Sequence, residues 1–155
     1  MSRSYKISEW KDLSRDELHA CLRLRIDVFV VEQDCPYPEL DEKDQNSLHV
    51  FANNNHEEFS KGKAVDAYLR ICKPGICYKE PSIGRVSTSI NVRGQGLGLE
   101  IMRKGIEECY KRWPNLGIRI SAQEYLIKFY EGLGFNVCSE PYLEDNIPHV
   151  QMFRD

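Results

Sequence analysis

The sequence is poor in the features that would tie it to a membrane or a polyanion. No apolar run approaches the ~20 residues that cross a bilayer, and Met1 to Trp10 carries charge without the apolar stretch of a signal peptide. A cytoplasmic protein with no membrane partner is the expectation. The formal net charge is only −3, which gives no sequence-independent grip on a phosphate backbone and argues against a nucleic-acid partner. Metal-binding spacings are missing too. Of the six cysteines, the one close pair, Cys72 and Cys77, lacks both CxxC spacing and a second Cys/His pair, while His19, His49, His56 and His149 form no HxxxH. No metal is expected, and thiols scattered along a chain able to build its own core read as mostly free. Repeats and Pro/Gly/Ser linkers are also missing, so residues 1–155 read as one domain. What is present, 41% hydrophobic and 29% charged residues over 155 positions, suffices to bury roughly 68–70% of the unfolded surface.

Hydrophobic periodicity predicts the order β α β β β α β α β β. Tyr5 to Trp10 reads as a strand. Ser14-Arg15-Asp16-Glu17 matches a capping box opening a helix whose apolar face is Leu18, Cys21, Leu22, Ile26 and Phe29. Residues 34–46, with Pro36, Pro38 and the acidic Glu39, Asp41, Glu42 and Asp44, read as a solvated loop. Strands are expected over Leu48–Ala52, Ala64–Cys72 and Ile83–Val92, the first two joined through the polar stretch Asn53 to Glu58. Gly96 to Arg112 is helical by period, with Leu97, Ile101, Met102, Gly105, Ile106 and Cys109 on one face. A short strand over Gly117–Ala122, a helix over Gln123–Leu133 and strands over Phe135–Tyr142 and Ile147–Phe153 complete the pattern. The fold class is α+β (mixed α/β).

The stretch from Gly84 to Gly98 runs from strand through a glycine-rich turn into an amphipathic helix. Glycines let the backbone approach a ligand, and unpaired N–H groups at a helix start favour phosphate. No GxxxxGK[ST] and no GxGxxG is present, so neither a P-loop nor a dinucleotide fingerprint accounts for it. Arg93, Gly96 and Gly98 instead give R-x-x-G-x-G, and the chain resembles the GNAT superfamily of acyl-CoA N-acyltransferases. Within that superfamily it is similar to the ElaA-like branch. The residues that carry the likeness are Leu24-Arg25, Phe29-Val30-Val31-Glu32-Gln33 before Cys35-Pro36-Tyr37, Gly84-Arg85-Val86, Ala122-Gln123, Phe129-Tyr130 before Gly134-Phe135, and Ile147-Pro148-His149.

The resemblance implies a single GNAT-like domain: a central twisted, mostly antiparallel sheet flanked by helices. It also implies an N-acetyltransferase that moves an acetyl group from acetyl-CoA directly to a primary amine of a small molecule or peptide, in a ternary complex, with a homodimer as a reasonable state. Val86, Ser87 and Thr88 would pair with the pantetheine arm of coenzyme A. Backbone amides of Gly94, Gln95, Gly96, Leu97, Gly98 and Leu99 would hold the pyrophosphate, with Arg93 nearby and Gln123 as a further cofactor contact. Tyr130 would protonate the departing thiolate, since a phenol of pKa about 10 stays protonated at neutral pH; packing beside Leu126 and Leu133 is the other role open to it. Gln123 and Tyr130, seven residues apart, are expected to share one helix face. No acid lies in the strand from Val86 to Val92, so Glu32, His49, Glu124 and His149 compete for the role of base, with His149 and Glu32 entered as catalytic candidates beside Tyr130. Phe29, Gln33 and Tyr37 are expected to border the acceptor. A non-catalytic acyl-CoA sensor and a thiol acyl-enzyme at Cys35 or Cys138 are the competing readings.

Overall fold

The computed structural model describes residues 3–53 and 65–155; the polar connection beyond position 53, including His56, and the start of the strand expected at Ala64 lie outside them. Strands β1 (Ser4–Glu9), β2 (Ser47–Asn53), β3 (Ala67–Cys72) and β4 (Ser82–Thr88) form an antiparallel sheet in that order. Strands β5 (Ile118–Gln123), β6 (Asn136–Val137), β7 (Tyr142–Glu144) and β8 (Ile147–Arg154) form a second, in which β8 pairs antiparallel with the other three. The helices are α1 (Arg15–Ile26), α2 (Leu97–Arg112) and α3 (Ile127–Glu131). The class is the mixed one expected, with the antiparallel sheet split in two. Strands β4 and β5 touch at their starts, where Arg119 N–H donates to the Pro81 carbonyl at 3.1 Å, and each then stays in its own sheet. The gap between them opens a cavity.

Strands β2 and β3 are buried at every position, because both faces of their sheet are covered. Leu48, Val50, Leu69 and Ile71 point to one side and pack with Leu97, Ile101, Met102, Ile106 and Cys109 of α2. The alternate positions Phe51 and Tyr68 point to the other and pack with Ala20, Cys21 and Leu24 of α1. A Cβ on Gly105 would lie 2.9 Å from Leu69 Cδ2, so this glycine sets how closely α2 approaches the sheet. Helix α1 opens with the expected capping box: Ser14 Oγ accepts from Glu17 N–H at 3.0 Å and Glu17 Oε1 from Ser14 N–H at 2.8 Å. Its inward face is nevertheless Glu17, Ala20, Cys21, Leu24 and Arg25, and Ile26 is exposed. Apolar periodicity could not register a buried arginine. No described helix is long and apolar enough to cross a membrane.

Four expectations are corrected. The strand read as Ile83–Val92 ends at Thr88, because the Ser89 hydroxyl accepts from Asn91 N–H and turns the chain into a 3-10 turn, Ile90–Val92. The helix read from Gln123 begins at Ile127; Gln123 closes β5 and a 3-10 turn intervenes, so Gln123 and Tyr130 do not share a helix face. The strand read as Phe135–Tyr142 is reduced to β6 and β7. Finally, the acidic loop is solvated only in part: Glu42 is exposed, but Glu39 and Asp44 are each 4% exposed.

Candidate active site

A cavity of about 300 Å³ opens where the two sheets part. Its walls come from β4 (Ser82 to Val86), β5 (Ser121, Gln123), the α3 region (Leu126, Tyr130), the β7–β8 hairpin (Glu144, Asp145, Ile147, His149) and the segment after α1 (Phe29, Gln33, Cys35, Tyr37). That last wall exists because α1 does not simply end. Its chain widens into a π-helix, Asp27–Glu32, closed by Gln33 N–H to the Val28 carbonyl at 3.2 Å and Cys35 N–H to the Val30 carbonyl at 3.1 Å. Cys35 Sγ reaches the Asp145 carbonyl at 3.7 Å, linking this wall to the hairpin opposite. Of the residues expected from sequence, Tyr130, His149, Gln123, Val86, Phe29, Gln33 and Tyr37 thus meet in one cavity.

The Tyr130 ring is buried in edge contacts with Phe129 and Phe135, centroids 5.1 and 6.1 Å away. Burial, with a smaller contribution from Tyr125, pushes its phenol up to about 12, which keeps it protonated at neutral pH. His149 Nδ1 donates to the Ile147 carbonyl at 2.7 Å, so Nε2 faces Glu144 Oε2 at 3.2 Å, and the ring stacks on Tyr142. Tyr142 is in turn hydrogen-bonded to Ser121. Glu144, Tyr142 and Ser121 escaped the sequence reading because only the β5–β8 and β7–β8 pairings bring them beside His149. The other candidate bases fall elsewhere. His49 is buried, with Nε2 donating to the Asp44 carbonyl at 2.9 Å and Nδ1 accepting from the Tyr68 hydroxyl at 2.7 Å; burial lowers its pKa, and it serves packing. Glu124 is exposed and off the cavity wall. Glu32 points away from the cavity into a bidentate pair with Arg93, both bonds 2.6 Å, and this holds its carboxyl below the usual range.

The glycine turn lies outside the cavity at the start of α2. Gly94 and Gly96 have φ of 81° and 75°, the left-handed region where glycine is at ease. Gly96 is the N-cap and offers no side-chain cap, so the amides of Leu97, Gly98 and Leu99 face outward without intrahelical acceptors. The Leu97 side chain is core, 2% exposed; only its backbone is available to a ligand. Beside the turn, Ser87 and Thr88 pair with Tyr68 and Ala67 of β3, Val86 lies at the register shift before them, and no described strand pairs with the other edge of β4 there. Arg93 already donates to the Thr88 carbonyl at 3.0 Å, tying turn to strand. A free β edge leading to exposed helix amides fits a long ligand with an amide-bearing arm and a pyrophosphate.

Behind the cavity, Arg25, 1% exposed, binds Glu39 Oε1 at 2.7 Å and Asp44 Oδ1 at 2.8 Å. Arg70 binds Asp41 at 2.7 Å and Asp44 at 3.0 Å, Arg85 Nε lies 3.0 Å from Glu39 Oε1, and Tyr37 is hydrogen-bonded to Glu39. Three arginines balance three carboxylates, which fixes the acidic loop as a wall instead of leaving it in water. Arg85 stands over the Phe29 and Tyr37 rings at 5.8 and 5.7 Å. Among the described residues no group of three or more His, Cys, Asp or Glu side chains is arranged to hold a metal.

Comparison with known proteins agrees with this geometry. Residues 68–154 match the acetyltransferase (GNAT) domain family. The chain is 39% identical to the protein ElaA of Escherichia coli over 152 residues, covering 95% of this chain and 96% of that protein. It is 38% identical to a UPF0039 protein of Synechocystis over 152 residues, 98% of this chain and 95% of that one. Among solved structures, an acyl-CoA N-acyltransferase from Pseudomonas aeruginosa superimposes with a TM-score of 0.90 at 38% identity, over 99% of this chain and all of that one.

Proposed function

The chain belongs to the GNAT acetyltransferase family, which makes it an acyl-CoA-dependent acyltransferase, and we propose that it moves an acetyl group from acetyl-CoA to a primary amine in one ternary complex. The observation that carries this reading is the cavity at the parting of β4 and β5, lined by Tyr130 and His149 and lying beside a glycine turn that exposes helix amides. Bound acetyl-CoA supplies the acyl group as an activated thioester. Val86, Ser87 and Thr88 offer its arm a strand edge, and the amides from Gly94 to Leu99 hold its pyrophosphate. His149, oriented by the Ile147 carbonyl, accepts at Nε2 the proton that the amine must lose before nitrogen can attack, and Glu144 stabilises the imidazolium that forms. Tyr130 donates a hydrogen bond to the sulfur as the C–S bond breaks, and the departing thiolate takes its proton from solvent. The raised pKa of Tyr130 suits donation of a hydrogen bond to developing charge better than complete transfer of the proton. Phe29, Gln33 and Tyr37 border the acceptor.

The decisive measurement is free thiol released from acetyl-CoA in the presence of a panel of primary amines, with the acetylated amine identified by mass. Amine-dependent release is expected. Tight CoA binding with no release for any amine overturns the proposal in favour of an acyl-CoA sensor.

A further inference from the structure

We propose that Cys72 and Cys77 form a dithiol site, oxidised to a disulfide by a hydroperoxide that enters the cavity. Both residues line it, Cys72 at the end of β3 and 3% exposed, Cys77 half-buried on the following turn. The turn brings them together: Ile76 N–H bonds the Lys73 carbonyl at 3.1 Å and Gly75 N–H the Tyr78 carbonyl at 2.7 Å. The φ of 90° at Gly75 permits the fold-back. The Lys73–Ile76 turn bond sets Cys72 and Cys77 on its two flanks, and the Ser47 hydroxyl lies 3.6 Å from the Cys72 sulfur. Hydrogen bonding with Cys77, helped by Arg70, Ser47 and Lys43, lowers the Cys72 thiol against the effect of burial. The same bond and burial push Cys77 up, so it remains a thiol. A thiolate beside a neutral partner thiol is the arrangement of an attacking and a resolving cysteine. The acyl-transfer chemistry uses neither sulfur.

The steps balance. The Cys72 thiolate attacks one peroxide oxygen; the O–O bond breaks, a sulfenic acid forms, and the leaving oxygen takes up a proton as water or alcohol. Cys77 sulfur then attacks Cys72 sulfur; the S–O bond breaks and water departs with the Cys77 proton. Two thiols are oxidised and one peroxide is reduced.

The test treats the reduced protein with limiting hydrogen peroxide, blocks remaining thiols and maps the peptides. A Cys72–Cys77 linkage that dithiothreitol reverses is expected, forming before oxidation at the exposed Cys138. In Cys77→Ser, checked for native circular dichroism, Cys72 should persist as a sulfenic acid that dimedone labels. Oxidation that appears first at Cys35 or Cys138, with no linked peptide, overturns the proposal. Should Cys77→Ser fail to fold, the wild-type map decides alone.

Discussion

Two arginine–carboxylate clusters flank the π-helix after α1, and they are made of the same groups in opposite surroundings. Arg93 meets Glu32 through two bonds of 2.6 Å with side chains 36% and 40% exposed. Arg25 meets Glu39 and Asp44 at 2.7 and 2.8 Å with all three side chains no more than 5% exposed. Distance does not separate them; water does. An exposed pair is worth about 0–1 kcal/mol, because solvent and salt screen it and either partner can leave. In the buried cluster each group has lost its hydration, so no partner can be removed without stranding the others. One cluster can therefore open for a ligand, and the other holds a wall in place.

The harshest way to break that contrast is Arg25→Ala, which leaves Glu39 and Asp44 buried without their guanidinium. A loss of about 3–5 kcal/mol is expected, together with loosening of the loop that carries Tyr37. Urea unfolding measures it. A loss below about 1 kcal/mol would mean that water or Arg70 and Arg85 compensate, and the two clusters would not differ in kind.

Tyr130 combines the two surroundings, with a ring in the core and a hydroxyl at the cavity. Tyr130→Phe keeps the ring and deletes the hydroxyl, so stability and acetyl-CoA affinity should change little while kcat falls by roughly 10²–10⁴. Pre-steady-state kinetics must show acetyl transfer to be rate-limiting, since slow product release hides a damaged chemical step. Near-normal kcat under that condition leaves Tyr130 as packing alone.

The turn next to Arg93 gives a smaller effect. At Gly96 a Cβ would meet nothing within 4 Å, and the cost of a side chain is the left-handed φ of 75°. Gly96→Ala should lower stability by roughly 1–2 kcal/mol and weaken CoA binding through the displaced amides. Isothermal titration reads the second effect; unchanged affinity in the folded variant removes the turn from the cofactor site.

The same contrast explains what could be read from the sequence. Helix α2 was legible but for one residue, because its inward face, Leu97 to Cys109, is apolar except for the buried Glu108, which Arg112 holds at 2.6 Å. The capping box of α1 was legible because it is local, two bonds across three residues. The buried face of α1 was misread because Arg25 is held by carboxylates fourteen and nineteen positions away, and for the same reason Glu39, Asp41 and Asp44 looked like a solvated loop. Tyr130 is singled out by likeness to a family, and His149 as one of several groups whose chemistry suits a base. Their meeting in one cavity, and Glu144 beside His149, follow from strand pairings over long separations that no local pattern encodes. Glu32 was chosen as an acid near the right helix end, and the π-helix then directed it to Arg93.

The smallest effect tests the exposed pair itself. Glu32→Gln removes the carboxylate that occupies Arg93 and leaves the fold untouched, so stability should shift by less than about 0.5 kcal/mol. If the pair opens for phosphate, the released Arg93 should tighten CoA binding about two- to fivefold, the worth of one exposed charge contact. Arg93→Ala should weaken it by a similar factor. Acid provides the control. Arg93 holds the Glu32 carboxyl below its ordinary range, so the pair persists at neutral pH and is lost only as pH falls through that depressed value. There the wild type protonates Glu32 and comes to resemble Glu32→Gln, and the affinity ratio of the two proteins should shrink toward unity. Titration of both proteins across that range separates the cases. A ratio of unity at neutral pH, with no effect of Arg93→Ala, would make the pair a solvent contact with no part in binding.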